Sequence, residues 1–306
     1  MCIFESIDNQ HTKNTMKKLL FILSAFAAVA ANAQEEKGLL GLDIRVVTCN
    51  VRYCKANDGE NGWDFRRERL ADALISLDAD IIGTQEAYEI QKAYFEERLD
   101  KFNAVGVGRE DGKKEGEHSA IFYNKERFTA LDCGNFWLSE TPDVPSIGWD
   151  AACIRIATWA YLEEKSSGKK FFFVNTHLDH VGNQARREGV RLLCRKAAEI
   201  GGGCPMVITG DFNSGKESDD IAYVKNMGLI HAYDIADAKK LQPASFHGYS
   251  DMDRMAERIP KQFQPAIIDY IFISQGHCSY YEIMDPKGAD GGFLSDHCPV
   301  FADITL

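Results

Sequence analysis

The chain has 306 residues, 45% of them hydrophobic, and a formal net charge of -11 at pH 7. That length supports a substantial core in one large or two ordinary domains. The negative balance argues against a protein that grips nucleic acid nonspecifically through a basic surface, and leaves open an enzyme that meets a polyanion through a metal ion.

Residues 1–15 read as an upstream extension that the working protein does not use. From Met16 the pattern changes: Lys17 and Lys18 precede an apolar stretch from Leu19 to Ala31, then Ala31-Asn32-Ala33. A basic start, a short apolar segment and small residues before a cleavage point describe a secretory signal peptide over residues 16–33. The apolar stretch is short for a bilayer span. The expectation is export to the periplasm or the extracellular space, without stable membrane insertion. Eight of the nine cysteines follow this segment, none in a CxxC pattern, and several sit in apolar runs such as "VVTCNV" and "SDHCPV". Most are expected to be buried free thiols, with pairing left open.

From about residue 42 to 306, strand-like and helix-like patterns interleave without a linker. "IRVVTCNV" (44–51) reads as a strand, and Asp64 to Leu77 places Leu70, Ala73, Leu74 and Leu77 at helical spacing. "DIIGTQE" is a second strand, followed by an amphipathic segment with Ile90, Tyr94 and Phe95 on one face. Further strands are expected at "SAIFYN", "IRIATWAYLEE", "FFFVNTHLD", "PMVITGDFN", "IIDYIFIS" and "HCPVFADI". A third helix from about Gln184 aligns Val190, Leu193, Cys194 and Ala197, and three glycines at 201–203 end it. The alternation implies an α/β domain with helices covering its sheets. Three long stretches, 138–153, 241–266 and 285–294, resist regular assignment, and long irregular loops are often functional.

Polar residues recur where these strands begin or end. In "TGDFNS", Asp211 and Asn213 stand two apart, so an extended chain projects both to the same side. Asn50, Glu86, His177, Asp179, Asp269 and the triplet Ser295-Asp296-His297 occupy similar positions. Each alone has an ordinary structural explanation as a turn residue, a helix-end charge or a satisfied buried group. Together, Glu86, Asp211, Asp269 and Asp296 would crowd four carboxylates into one volume, which demands a cation or a proton. Carboxylate and amide oxygens are hard ligands suited to Mg²⁺ or Mn²⁺, and no HExxH or Cys/His zinc pattern is present. With two histidines to donate to phosphoryl oxygens, the natural chemistry is hydrolysis of a phosphate ester.

The ordered set Asn50, "QE" at 85–86, "NTHLDH" at 175–180, "GDFN" at 210–213, "IDYIF" at 268–272 and "SDHCPV" at 295–300 resembles the endonuclease/exonuclease/phosphatase superfamily, closest to its bacterial secreted and Ccr4/nocturnin-like branches. The resemblance implies a DNase I-like fold: a four-layer α/β sandwich of two packed mixed β-sheets flanked by helices, with the site at one rim. It also implies roles. Glu86 and Asp296 would hold Mg²⁺ or Mn²⁺, with Asn50 as a direct or water-mediated ligand. Asp211 would orient or deprotonate the attacking water, and Asn213 would steady it or the phosphate. His297, oriented by Asp269, would donate to a nonbridging oxygen, and His177 would bind the phosphate or assist the leaving group. Substrate contacts are expected from Arg155, Asp179, His180, Trp149 and His247. The implied function is a secreted metal-dependent phosphoesterase acting on a mono- or diester. A secreted nuclease on RNA or DNA, with nucleic acid met only as substrate, and a noncatalytic phosphate-ligand-binding module are the alternatives.

Overall fold

The computed structural model describes residues 41–306, and the expected extension at 1–15 and signal peptide at 16–33 lie outside the described residues. The first half of the chain forms β1 (Asp43–Asn50), α1 (Trp63–Ser76), β2 (Ile81–Gln85), β3 (Ala87–Tyr88), α2 (Glu89–Arg98), β4 (Phe102–Val105), β5 (Glu117–His118), β6 (Ile121–Asn124) and β7 (Phe128–Trp137). There follow β8 (Ile156–Glu164), β9 (Lys170–His177), α3 (Asn183–Gly201), β10 (Met206–Asp211), α4 (Asp219–Asn226), β11 (Ile230–His231), α5 (Ala232–Ile235) and β12 (Ala236–Lys240). The last elements are α6 (Met252–Arg258), β13 (Asp269–Ile273), β14 (His277–Ile283) and β15 (Val300–Thr305).

Seven strands make one sheet in the order β12-β14-β15-β1-β2-β6-β4, and six make a second, β11-β13-β10-β9-β8-β7, while β3 and β5 pair separately. Both large sheets are mixed. β1 runs parallel to β2 and antiparallel to β15, and β10 runs parallel to β9 and antiparallel to β13.

Strand periodicity explains the layering. In β1, Ile44 and Val46 enter the core cluster that also holds Val174, Ile208 and Phe272 of the second sheet. Val47, Cys49 and Val51 point the other way, into a cluster with Leu70 and Leu74 of α1 and Phe95 of α2. α3 brings Val190, Leu193 and Ala197 to the second sheet's side of the core, and it stops at Gly202, whose φ of 57° is left-handed. The result is the helix, sheet, sheet, helix sandwich that the sequence implies. Fully burying each such Leu, Val or Phe contributes about 1.5–3 kcal/mol.

α2 departs from expectation. Ile90 is 66% exposed, and Gln91 takes the inward position beside Phe95. The carboxamide of Gln91 accounts for the exchange: Oε1 accepts from Cys54 N–H and Tyr88 N–H, and Nε2 donates to the Arg52 carbonyl. It ties the loop after β1 to the helix. The irregular stretch 241–266 contains α6 and a single helical turn at Lys261–Phe263.

Part of the contact between the sheets is polar. Gln85 Nε2 donates across it to Asn175 Oδ1 at 2.7 Å, Thr209 Oγ1 donates to the same oxygen at 3.0 Å, and Asn175 Nδ2 donates to the Thr84 and Ala120 carbonyls. Gly83 lets the sheets close over this layer, because a Cβ there would lie 2.5 Å from Thr209 Oγ1. An Ala at that position is expected to cost about 1–3 kcal/mol through overpacking. Among the described residues all eight cysteines are unpaired, with Cys49, Cys194, Cys278 and Cys298 buried, and no helix is long and apolar enough to cross a membrane.

Candidate active site

The polar layer continues to one end of the strands. Asn50 shares the strand face of Ile44 and Val46, and it stands opposite Gln85 of β2. On the second sheet Asp211 stands opposite His177 on one side and Asp269 on the other. Three adjacent strands therefore present three polar side chains in one row. Glu86 and Asn213, each just past a strand end, adopt positive φ (64° and 48°), a conformation that costs non-glycine residues about 1–3 kcal/mol each. Both bend their chains at the site.

A buried arginine fixes the remaining loops. Arg66 of α1 donates to the carbonyls of Val51 (2.7 Å), Arg52 (2.7 Å), Asn61 (3.0 Å) and Leu294 (3.2 Å). It thereby holds the segment carrying Arg52 against the one that opens into Ser295-Asp296-His297. Loss of so many bonds to a fully buried side chain would leave several carbonyls unpaired.

Asp211 lies at the centre. Its Oδ1 accepts from Asn213 N–H at 2.9 Å, and its Oδ2 accepts from Asn50 Nδ2 at 3.1 Å. His177 Nε2 and His297 Nε2 stand 3.5 and 3.7 Å from Oδ2. Burial first, then Asp269, pushes the Asp211 carboxyl well above the ordinary carboxylate range. His297 Nδ1 meets Asp269 Oδ2 at 3.0 Å. Burial opposes charge on that ring, but the attraction of Asp269, seconded by its hydrogen bond and by Asp211, raises it to about 10, so the ring is an imidazolium. His177 is shifted the other way, by burial and then by Arg155 and Arg109. Asn213 Nδ2 donates to the Leu178 carbonyl and to His177 Nε2. A neutral His177 accepting at Nε2 carries its proton on Nδ1, where no group among the described residues accepts it.

Glu86 Oε1 accepts from Asn50 Nδ2 and Oε2 from Tyr53 N–H, both at 3.0 Å. Each oxygen keeps a free lone pair. Asp296 takes a hydrogen bond from Ser295 and lies 3.5 Å from Arg52 Nη1. Burial first, and Glu86 among its neighbours, raises its carboxyl. Buried Asp296 and half-buried Glu86, both with oxygens to spare at the cavity wall, fit a hard divalent cation. A different triad, Asp211, Asp269 and His297, places one donor atom of each within 4.8 Å of the others. In this triad His297 and Asp269 are already joined at 3.0 Å, whereas Glu86 and Asp296 keep acceptor capacity that no protein donor fills. Asn50 spends Nδ2 on Glu86 and Asp211 and Oδ1 on Arg52 N–H. It orients both acids from behind.

These groups open onto a cavity of about 550 Å³. Glu86, Asp211, Asn213, His177, Asp296 and His297 line it, joined by Arg155 and His180. Asp269 and Asn50 support the wall from behind. Asp179 is an anchor: Val181 and Gly182 N–H donate to Oδ1, and Ala152 N–H and Arg155 Nε donate to Oδ2. Burial works against its charge, yet the N–H groups of Gly182, Val181 and Ala152, then Arg155, hold its carboxyl down at about 2. Trp149 and His247 are not brought to the cavity. Trp149 packs against the main core. His247 is buried and stacks on Phe293, centroids 5.2 Å apart, while its neighbour Phe246 turns outward and lines the cavity beside the His297 ring.

Several lining residues carry no signal of their own in the sequence. Arg52 and Tyr53 stand two and three residues after Asn50, and their place in "NVRY" at a strand end is their one sequence clue. Tyr88 and Glu117 lie on the two-residue strands β3 and β5, and Arg109 in the turn region before β5, where there is no apolar periodicity.

The model of the endonuclease/exonuclease/phosphatase family matches residues 47–297. A solved endonuclease/exonuclease/phosphatase from Bacteroides vulgatus is 39% identical with a TM-score of 0.79, covering 87% of this chain and 99% of that one. A mannosyl-6-phosphatase from Bacteroides thetaiotaomicron is 35% identical with a TM-score of 0.78, covering 86% and 100%. The CCR4-Not complex 3'-5'-exoribonuclease subunit Ccr4 of Kluyveromyces lactis is 28% identical over 191 residues, 51% of this chain but only 24% of that longer protein. With a family model spanning nearly all of the described residues, two Bacteroides structures matched end to end and the acid–histidine site at the rim of two stacked sheets, the chain belongs to the endonuclease/exonuclease/phosphatase family.

Proposed function

We propose that the chain is a divalent-metal-dependent phosphoesterase that hydrolyses a small phosphate monoester outside the cytoplasm, after removal of residues 16–33 as a signal peptide. Residues 42–306 form its catalytic domain on this reading. Glu86 and Asp296 hold Mg²⁺ or Mn²⁺, which when bound supplies Lewis-acid neutralisation of a phosphoryl oxygen. Asp211, fixed by Asn213 N–H and Asn50, accepts a proton from the attacking water. The His297 imidazolium, tied to Asp269, donates to a nonbridging oxygen as negative charge grows on it. Asn213 holds the His177 ring, whose Nδ1–H faces the rest of the substrate.

The shape and lining of the cavity carry the preference for a small monoester. Its volume of about 550 Å³ suits a compact ligand. Beyond the acid cluster the wall carries Glu117 paired to Arg109, a charge-cancelled pair that offers the continuing phosphates of a nucleic-acid strand no unpaired cation. The 35% identity to a mannosyl-6-phosphatase over its full length supports the same reading.

The test is an activity panel with purified protein beginning at residue 34. Its substrates are a hexose 6-phosphate, p-nitrophenyl phosphate, bis(p-nitrophenyl) phosphate and single-stranded RNA, each with Mg²⁺, with Mn²⁺ and with chelator. Monoester turnover that chelator abolishes is expected. Turnover confined to RNA or to the diester would replace this reading with the nuclease one, and chelator-resistant turnover would remove the metal from it. Export is tested separately by fractionating cells that express the full chain, where a product retained in the cytoplasm refutes the address.

A further inference from the structure

The far end of the cavity is not used by the hydrolysis itself. Arg109 and Glu117 meet there through two parallel bonds, Nη1 to Oε2 at 2.6 Å and Nη2 to Oε1 at 3.0 Å. The backbone reinforces them: Arg109 N–H donates to the Glu117 carbonyl at 3.0 Å, and Trp137 Nε1 donates to the Arg109 carbonyl at 2.7 Å. Both side chains are mostly buried, at 11% and 13% exposure, and both line the cavity. Arg109 takes one bond to each carboxylate oxygen and leaves each a further lone pair.

A charge-cancelled carboxylate–guanidinium pair offers fixed acceptors and donors without net charge. That combination recognises hydroxyl groups, not phosphates. A second observation places such a hydroxyl. His177 is 7% exposed, its Nδ1 has no hydrogen-bond partner among the described residues, and Nδ1 lies 4.0 Å from Glu117 Oε2. That gap is too long for a direct hydrogen bond; an oxygen roughly 2.8 Å from each atom, accepting from Nδ1–H and donating to Glu117, would satisfy both. The same ring spans the distance to the reacting end, with Nε2 3.5 Å from Asp211 Oδ2. A phosphorus next to Asp211 therefore leaves the alcohol half of the ester one imidazole away, against Glu117. Arg155, 4% exposed, closes this side, with Nε toward Asp179 at 3.3 Å and Nη2 toward His180 Nδ1 at 2.9 Å.

We infer that Glu117 and Arg109 select the alcohol half of the substrate, reading a hydroxyl near the ester oxygen of a polyol phosphate such as a hexose 6-phosphate. The inference rests on the monoesterase reading and gives it a substrate class.

The experiment measures kcat and KM for wild type and Glu117→Gln on a hexose 6-phosphate and on p-nitrophenyl phosphate, whose leaving group has no second hydroxyl. The expected result is a fall of about 10–100-fold in kcat/KM for the hexose ester, mostly in KM, and a change under about threefold for p-nitrophenyl phosphate. Equal losses on both would make Glu117 a support for His177 and overturn the inference, as would no loss on either. A wild type that hydrolyses p-nitrophenyl phosphate but not the hexose ester overturns the inference and spares the monoesterase reading. A wild type active only on diesters or RNA removes that reading and the inference with it. Thermal stabilisation by inorganic phosphate, measured alongside, reports whether the variant is folded. If Glu117→Gln fails to fold, Glu117→Asp, which keeps the charge but withdraws it by one methylene, answers with the same outcomes.

Discussion

His297 and His177 approach the same carboxylate oxygen, Asp211 Oδ2, at 3.7 and 3.5 Å, yet their surroundings make them opposites. Both are buried, and burial alone disfavours charge on either. His297 escapes through Asp269, 3.0 Å from Nδ1, which raises it to about 10. His177 has Arg155 and Arg109 as electrostatic neighbours and stays neutral. The contrast shows how one residue type is divided between two tasks: a charged donor where negative charge develops, and an uncharged ring where the substrate's alcohol half rests. The carboxylate of Asp269 decides the first, and burial, seconded by two guanidinium groups, decides the second.

Deleting the charged donor should have the largest effect. His297→Ala is expected to lower kcat by about 10³-fold, since removing one oxyanion-stabilising donor costs roughly 10²–10³ and this one is charged. Asp269→Asn removes its partner and should cost about 10²-fold. The sharper expectation concerns the pair: His297→Ala with Asp269→Asn should be no slower than His297→Ala alone, because residues acting as a unit are non-additive. Steady-state kinetics on p-nitrophenyl phosphate measure all three, and additive losses would mean that Asp269 acts apart from His297.

The cation site comes next. A cation bound only by the folded chain adds about 2.7 kcal/mol of stability at a hundred times its dissociation constant. Adding Mg²⁺ or Mn²⁺ should therefore raise the thermal midpoint of the wild type, and Asp296→Ala should abolish that rise. If the rise survives Asp296→Ala but disappears in Asp269→Asn, the ion belongs to the Asp211–Asp269–His297 triad instead.

Much of this arrangement was legible in the sequence, for a physical reason. Asp211, Asn50 and His177 close apolar strands, and the two-residue period of a strand fixes which face they take, so strand pairing alone gathers them. Asp296 and His297 instead precede the last strand, in a loop placed by the bridge between His297 and Phe246 and by Arg66 at the Leu294 carbonyl. Glu117, Arg109 and Arg52 escaped because they sit on a two-residue strand or in turns, where no period exists and tertiary contacts alone decide direction. Trp149 and His247 show the reverse difficulty. Aromatic residues in long loops suggest a ligand wall, but Trp149 is drawn to the core, and of two adjacent residues the loop buries His247 and exposes Phe246. Ile90 yielded its inward place to Gln91 because the carboxamide satisfies three backbone groups that no aliphatic side chain can.

A third histidine isolates burial from ion pairing. His231 lies among Tyr270, Phe272, Tyr233 and Tyr281, with centroids 4.9–5.8 Å away and Nε2 unpartnered. Burial, little offset by Asp234, lowers it to about 3. Between that value and the ordinary histidine value near 6.5 the unfolded chain binds a proton that the folded chain does not. Stability must therefore rise with pH through this window, by up to about 1.4 kcal/mol per unit, and level off above it. Urea unfolding at pH 7 and pH 5 should show the wild type losing about 2 kcal/mol more than His231→Phe on acidification. Equal losses would mean that His231 is protonated in the folded state.

The smallest effect belongs to His177 and bears most directly on the comparison. A neutral ring contributes orientation and one uncharged hydrogen bond, worth about 0.5–1.5 kcal/mol, so His177→Gln should lower kcat/KM by about tenfold at most. Because the ring touches both Asp211 and the alcohol side, that loss should appear on p-nitrophenyl phosphate as well as on a hexose 6-phosphate, unlike the loss from Glu117→Gln. A fall matching that of His297→Ala would mean that His177 takes up a proton when substrate arrives, its Nδ1–H then acting on Glu117 as an ion pair, and the division of labour between the two histidines would fail.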